Sequence, residues 1–99
     1  MVDADVFKAM SDGNRLRILE MLRNGELCAC KILEAFDITQ PTLSHHMKVL
    51  CDCGLVRSRK VGQWSYYSIC PDKLDELISF FGGIRQDVGS CPPAVICPD

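Results

Sequence analysis

The stretch from Ile38 to Gly54 constrains the fold most, because it has the pattern of one amphipathic helix with both ends marked. Thr39 is a suitable N-cap residue, and Pro41 falls in the first turn, where a missing N–H is harmless. Gly54 can take the left-handed conformation that ends a helix. Apolar side chains recur at the helical interval and predict a buried stripe of Leu43, Met47 and Leu50. The opposite face is polar with almost no acid, which suits the major groove of DNA.

Three shorter helices are expected before this stretch, at about residues 3–11, 13–23 and 28–36. Breaks at Asp12-Gly13-Asn14 and at Asn24-Gly25 separate them. The third helix connects tightly to the stretch described above. Two helices joined by a turn of about 3–4 residues, the second polar on its exposed N-terminal side, are typical of a helix-turn-helix.

After Gly54 the pattern changes from helix to strand. Residues 55–61 and 63–70 are rich in side chains that favour strands, and Gly62 between them predicts a hairpin. The tip of this hairpin carries Arg59, Lys60 and Gln63. A basic hairpin directly after a helix-turn-helix is typical of the wing of a winged-helix domain, which lies along phosphate or in the minor groove.

A last helix is expected from Pro71 to about Phe81, and Gly82-Gly83 should end it. We therefore expect a fold that is mainly α with a β-hairpin wing. A winged helix-turn-helix domain should occupy residues 1–83, and a flexible tail containing Cys and Pro should occupy residues 84–99.

The net charge of −2 argues against binding to DNA, but the distribution of the charges matters more. Residues 39–70 contain four basic residues and one acidic residue, a net charge of +3, whereas the rest contains seven basic and twelve acidic residues, a net charge of −5. A basic patch on an acidic body fits a DNA-binding protein that gains affinity locally, by neutralising phosphate. No apolar run approaches the ~20 residues of a membrane span. Acidic residues near the N-terminus replace the basic region of a signal peptide, so we expect a cytoplasmic protein.

Two groups of residues are the candidate DNA-binding residues. The residues expected to approach bases and adjoining phosphates are Thr39, Gln40, Thr42, Ser44 and His45. The residues expected mainly to hold the backbone are Lys48, Arg59, Lys60 and Gln63. Adjacent histidines on a helix face different directions. We therefore expect His45 to meet DNA and His46 to pack near the wing.

Several motifs together resemble the ArsR/SmtB family of metal-sensing transcriptional repressors. They are Glu-Leu-Cys-Ala-Cys at 26–30, Ser-His-His-Met-Lys-Val-Leu at 44–50, Gly-Leu-Val at 54–56 and Gly-Gln-Trp-Ser-Tyr-Tyr at 62–67. The resemblance covers about residues 4–81. It implies a winged-helix homodimer that pairs through its first and last helices, represses an operator on double-stranded DNA when metal-free, and releases it on binding a metal ion.

Cys28 and Cys30 resemble the Cys-Val-Cys signature of the arsenic-responsive branch, and trivalent arsenic and antimony are soft centres that prefer thiolates. In a regular helix, residues i and i+2 point about 200° apart, so this pair could not share one ion there. In an extended chain the same pair faces one way. We therefore expect As(III) to act as inducer by unwinding the first turn of the third helix and so tilting the recognition helix. No cofactor is expected to be permanently bound.

The family's commonest arsenic site has a third cysteine one helical turn on, where this chain has Leu33. Cys91 and Cys97 of the tail are the first candidates for a third ligand. Alternatively two thiolates suffice, which suits a methylated arsenite that carries one carbon substituent. Sb(III) is a further candidate inducer. We expect the other thiols, Cys51, Cys53 and Cys70, to be buried as small hydrophobic side chains.

Other functions are compatible with parts of the same pattern. A redox-sensing repressor of the same fold would oxidise a cysteine pair, and a cadmium- or lead-sensing repressor would use the same Cys-x-Cys. The last helix has no His, so a zinc site resembling the family's is discounted. An enzyme is not expected, because the chain shows no nucleotide-binding loop and no acid–base constellation. A constitutive DNA-binding protein is a further possibility, and its affinity for the operator would not change when thiophilic metals are added.

Overall fold

The computed structural model describes residues 3–90. They form five helices and three short strands. In chain order these are α1 (Ala4–Met10), α2 (Gly13–Met21), β1 (Leu27–Cys28), α3 (Ala29–Glu34), α4 (Gln40–Asp52), β2 (Val56–Val61), β3 (Trp64–Ile69) and α5 (Pro71–Asp87). A 3₁₀ turn, Leu22–Asn24, extends α2. The mainly helical fold with a winged helix-turn-helix that the sequence predicts is confirmed.

The recognition helix α4 begins and ends as its sequence predicts. The Thr39 side chain accepts a hydrogen bond from the Thr42 N–H at 3.3 Å, and Pro41 lies in the first turn. Gly54 follows the helix with φ of +85°, where a side chain would be strained. The predicted apolar stripe is buried, and it packs with α2, α3 and the base of the wing. Its members are Leu43, Met47 and Leu50.

The wing is a three-stranded antiparallel sheet in the order β1–β3–β2, and not a hairpin alone. Strands β2 and β3 pair from Val56–Ile69 to Val61–Trp64, and Gly62 turns between them with φ of +63°. β1 was not predicted. It adds two residue pairs to the outer edge of β3, so the segment that precedes α3 is part of the wing sheet.

The predicted end of the last helix, at Phe81 before Gly82-Gly83, is wrong. α5 continues through the glycine pair to Asp87. Two interior glycines weaken a helix by about 1 kcal/mol each relative to alanine but do not forbid it. The apolar positions of α5 also recur at the helical interval on both sides of the pair. The proposed tail residues Cys91 and Cys97 lie outside the described residues.

None of the helices within residues 3–90 is long and apolar enough to cross a lipid bilayer.

Candidate DNA-binding and thiol sites

The two cysteines of the Cys-x-Cys motif meet at the start of α3. Cys28 is the N-cap residue, with φ −71° and ψ 146°, and Cys30 lies in the first turn. The Cys30 N–H donates to the Cys28 sulfur at 3.3 Å. The Cα atoms are 5.4 Å apart, and the two sulfurs are in contact as a disulfide pair. When the pair is reduced to two thiolates, this placement lets one thiophilic centre contact both sulfurs.

The expectation that α3 begins at Cys28, with both cysteines inside the helix, is wrong, because α3 begins at Ala29. The unwinding of its first turn by a ligand stays a prediction. Only two cysteines inside a regular helix would point about 200° apart. Cys28 instead has extended backbone, because it ends β1 and caps α3. An extended residue directly before a helix turns its side chain back over the first turn, as every N-cap residue does. The sulfurs therefore meet with α3 intact.

The cysteine pair opens onto a groove between α3 and the outer face of the wing. Cys28 lies opposite Tyr66 on β3, and residues that face each other in an antiparallel ladder share a face of the sheet. Trp64, two residues before Tyr66, lies on the same face and is 51 % exposed. The groove, about 470 Å³ in volume, is lined by Glu26, Leu27, Cys28, Cys30, Lys31, Trp64 and Tyr66. Two sulfurs thus stand beside two aromatic rings.

A third ligand for a metal ion is missing from the part of the chain between residues 3 and 90. There, no three His, Cys, Asp or Glu side chains lie close enough together to hold a metal ion. Cys51, Cys53 and Cys70 are half-buried free thiols elsewhere in the fold. Burial, followed by the nearby charge of Asp52, raises the pKa of the Cys51 thiol and keeps it protonated. The expectation that all three are buried is wrong, because each of them is only half-buried. Cys51 and Cys53 pack against the hydrophobic core.

The polar face of α4 is exposed along its first three turns. All the residues predicted to meet bases or adjoining phosphates are exposed; they are Thr39, Gln40, Thr42, Ser44 and His45. Lys48 is exposed as well and pairs with Asp52 one turn later, at 3.1 Å. Such an exposed pair is weak and can yield to a phosphate.

The structure distinguishes the basic residues of the wing. Arg59 forms a two-pronged ion pair with Glu26, in which Nε and one terminal nitrogen each donate to a carboxylate oxygen at 2.7 Å. This hydrogen bonding lowers the pKa of Glu26 and raises that of Arg59. Within residues 3–90 no ion pair involves Lys60. Lys60 and Gln63 are exposed near the turn.

His46 does not pack near the wing, and that expectation is wrong. It is buried between α4 and the junction of α1 with α2. Its Nδ1 lies 3.0 Å from an Arg15 terminal nitrogen and 3.9 Å from an Asp12 carboxylate oxygen. Arg15 also donates to the carbonyl of Ala9 at 2.7 Å. These contacts hold the recognition helix against the N-terminal helices.

Sequence reasoning missed Glu26 and Tyr66 as site residues. The sequence signal for β1 was the alternation of Glu26, Leu27 and Cys28 between outward and inward positions, which is typical of a strand. This alternation is only three residues long. So short an alternation also occurs in loops and helix starts, so it could not identify β1.

A helix-turn-helix with an exposed polar recognition helix, followed by a basic wing, defines a winged-helix DNA-binding regulator. Residues 12–58 match the family described as "Bacterial regulatory protein, arsR family". The chain is also 51 % identical to the arsenical resistance operon repressor of Staphylococcus aureus over 86 residues, which are 87 % of this chain and 83 % of that protein. The chain belongs to the arsR family of transcriptional regulators.

Two further similarities bear on assembly and ligand. A homodimeric winged helix-turn-helix DNA-binding domain of Mycobacterium bovis, solved by solution NMR, has a TM-score of 0.67 and 31 % identity, covering 85 % of this chain and 78 % of that one. A cadmium resistance regulatory protein CadC homolog of S. aureus is 37 % identical over 76 % of this chain and 63 % of its own length.

Proposed function

We propose that the protein is a homodimeric, cytoplasmic repressor that binds operator DNA and releases it on capturing trivalent arsenic through Cys28 and Cys30. It acts by binding and not by catalysis. The observation that carries the proposal is the placement of both sulfurs on one open groove, at the junction of the wing sheet and α3. The similarity to an arsenical resistance repressor supports the choice of ligand.

In this proposal, β1 connects the two cysteines to the wing that lies on DNA. Cys28 belongs to that strand, and β1 pairs with β3, the central strand of the wing. A ligand held by both sulfurs fixes β1 against α3 and so biases the position of the wing relative to α4. A coupling of about 1–3 kcal/mol changes operator affinity about 5- to 150-fold, and a change of this size is enough for a switch.

The DNA-binding residues are proposed with the roles that the sequence predicts. The residues at the start of α4 approach bases and the adjoining phosphates; they are Thr39, Gln40, Thr42, Ser44 and His45. The backbone is held by Lys48, Arg59, Lys60 and Gln63. A homodimer places two such sets on half-sites about one or two helical turns apart.

Two arrangements complete the coordination of arsenic, which forms three bonds. A thiolate from Cys91 or Cys97 can supply the third bond. Alternatively, arsenic arrives with one carbon substituent, as methylated arsenite does. The second arrangement has direct support, because Trp64 and Tyr66 give the groove an apolar wall beside the sulfurs. Sb(III) has the same preference for thiolates and is a further candidate inducer.

The test compares paired serine variants on a fluorescein-labelled operator selected in vitro from random duplexes. Serine at 28 keeps the cap of α3, because serine is a preferred N-cap residue. We therefore expect C28S/C30S to bind the operator normally while As(III) and methylated arsenite no longer release it. The matched control, C51S/C53S, should respond like the wild type. Normal release from C28S/C30S would refute the proposal, and C91S/C97S distinguishes the two arrangements.

A redox-sensing repressor is the second candidate, because the sulfurs of Cys28 and Cys30 are already in contact as a disulfide pair. Mild peroxide would then oxidise the reduced pair to a disulfide, with peroxide reduced to water, and release the operator while mass spectrometry records the loss of two hydrogen atoms. A cadmium- or lead-sensing repressor is the third, supported by the similarity to a CadC homolog. Titration of the reduced protein with As(III), Cd(II) and Zn(II) separates these candidates.

A further inference from the structure

One ion pair crosses the whole wing sheet beside the cysteines. Cys28, Tyr66 and Arg59 face one another across β1, β3 and β2, so they form one row on one face. The Arg59 guanidinium lies over the Tyr66 ring, 5.1 Å from its centroid, and reaches Glu26 on the far side. Arg59 thus joins the outer strand of the wing to the residue that directly precedes β1.

The geometry of this ion pair imitates a contact with phosphate. An arginine fork binds two oxygens of one carboxylate in the same planar way in which it binds two oxygens of one phosphate. Glu26 provides both oxygens at 2.7 Å. The stacking on Tyr66 holds the guanidinium in this position. While the pair is intact, Arg59 contributes no net charge to the wing.

We propose that Glu26 is an intramolecular competitor of DNA phosphate for Arg59, and that it sets how much charge the wing presents to DNA. The inference rests on the proposed function, because it requires the wing to lie on DNA. Glu26 is two residues before Cys28 on the same face of the chain. Glu26, which pairs with the wing arginine, and the thiol of Cys28 are therefore neighbours on one short segment at the edge of the wing sheet.

The test is the salt dependence of binding by E26Q, measured by anisotropy on a duplex between about 50 and 300 mM salt. Each added phosphate contact steepens the slope of log affinity against log salt by about 0.9. We expect E26Q to steepen it by up to about 0.9 per protomer, which corresponds at 0.1 M salt to an affinity up to about eightfold higher for each protomer's added contact. R59A should flatten the wild-type slope by less than about 0.9 per protomer, because Glu26 competes with phosphate for Arg59 in the wild type. E26Q/R59A should behave like R59A.

The matched control is E34Q, because Glu34 pairs with Lys31 on α3 and its loss changes the net charge equally. An E26Q slope equal to that of E34Q would overturn the inference, and so would weaker binding by E26Q. Circular dichroism checks that each variant is folded. If arsenic does not release the wild type from DNA but the E26Q slope is steeper, only the proposed inducer is contradicted. If the wild type binds no duplex, both proposals are contradicted.

Discussion

If the proposed homodimer pairs through α5, the exposed apolar face of this helix gives the dimer a measurable strength. Phe81 is 55 % exposed, and its neighbours Ile78 and Ile84 are exposed as well. A phenylalanine presents about 200 Å² of surface, so roughly 110 Å² of Phe81 is open to water in one chain. At about 25 cal/mol per Å², covering that area contributes about 2.7 kcal/mol per copy and about 5 kcal/mol per symmetric dimer.

Phe81→Ser should therefore weaken the dimer about 10³- to 10⁴-fold in dissociation constant. Sedimentation equilibrium from nanomolar to micromolar protein measures this change directly. Operator affinity should fall in parallel, because a monomer contacts one half-site. Phe81 also packs edge-on against Phe7 at 6.0 Å, so thermal unfolding must be recorded to separate dissociation from unfolding.

Val61→Ser is the matched control, because Val61 is 48 % exposed and apolar but lies at the end of the wing strand β2. It should leave the dimer unchanged. If Phe81→Ser is folded and remains a dimer at the concentrations where the wild type does, then α5 is not the dimer interface and the area argument fails.

Two other substitutions test single contacts. Lys60→Ala should weaken binding to all duplexes alike and flatten the salt slope by about 0.9 per lost contact, whereas an effect confined to one operator base would contradict a phosphate role. The Arg15 backbone N–H, followed by the Arg15 charge, lowers the pKa of Asp12 below its ordinary 3.8. The ionised Asp12 carboxylate therefore stabilises the fold above about pH 4, and this contribution is lost as the pH falls through the folded-state pKa. Asp12→Asn keeps an N-cap residue but cannot ionise. Between about pH 5 and 3, the free energy of unfolding of this variant, measured by urea denaturation, should therefore fall less than that of the wild type. Equal falls would contradict the stabilising role of the Asp12 carboxylate.

The parts of the fold that local chemistry determines were predictable. The start of α4 depends on Thr39 and Pro41, whose effects act within one helical turn. The turn of the wing depends on Gly62, whose positive φ is a property of the residue itself. The apolar stripe of α4 follows from a repeat of 3.6 residues. Each of these features can be recognised from neighbouring residues alone.

The features that were missed depend on contacts distant in the chain. β1 is a strand only because Leu27 and Cys28 pair with residues about forty positions later. The Glu26–Arg59 ion pair spans 33 positions. Tertiary pairing of this kind overrides local preference. The continuation of α5 through Gly82-Gly83 was missed because glycine was weighed as a local stop, although the apolar repeat continues beyond it.

In the proposed mechanism, the size of β1 limits how strongly a ligand on the thiols affects DNA binding. Two residue pairs in an antiparallel ladder exchange about two hydrogen bonds, and each contributes about 0.5–1.5 kcal/mol net. Detaching β1 from β3 therefore costs about 1–3 kcal/mol of pairing free energy, which is the size of a typical coupling free energy between two binding sites. A longer strand would hold the wing too firmly for one ligand to move it, whereas no strand would leave Cys28 without a connection to the wing. Because β1 has only two residues, the proposed mechanism requires a bond to the Cys28 sulfur to change the pairing of β1 with β3 by no more than this amount.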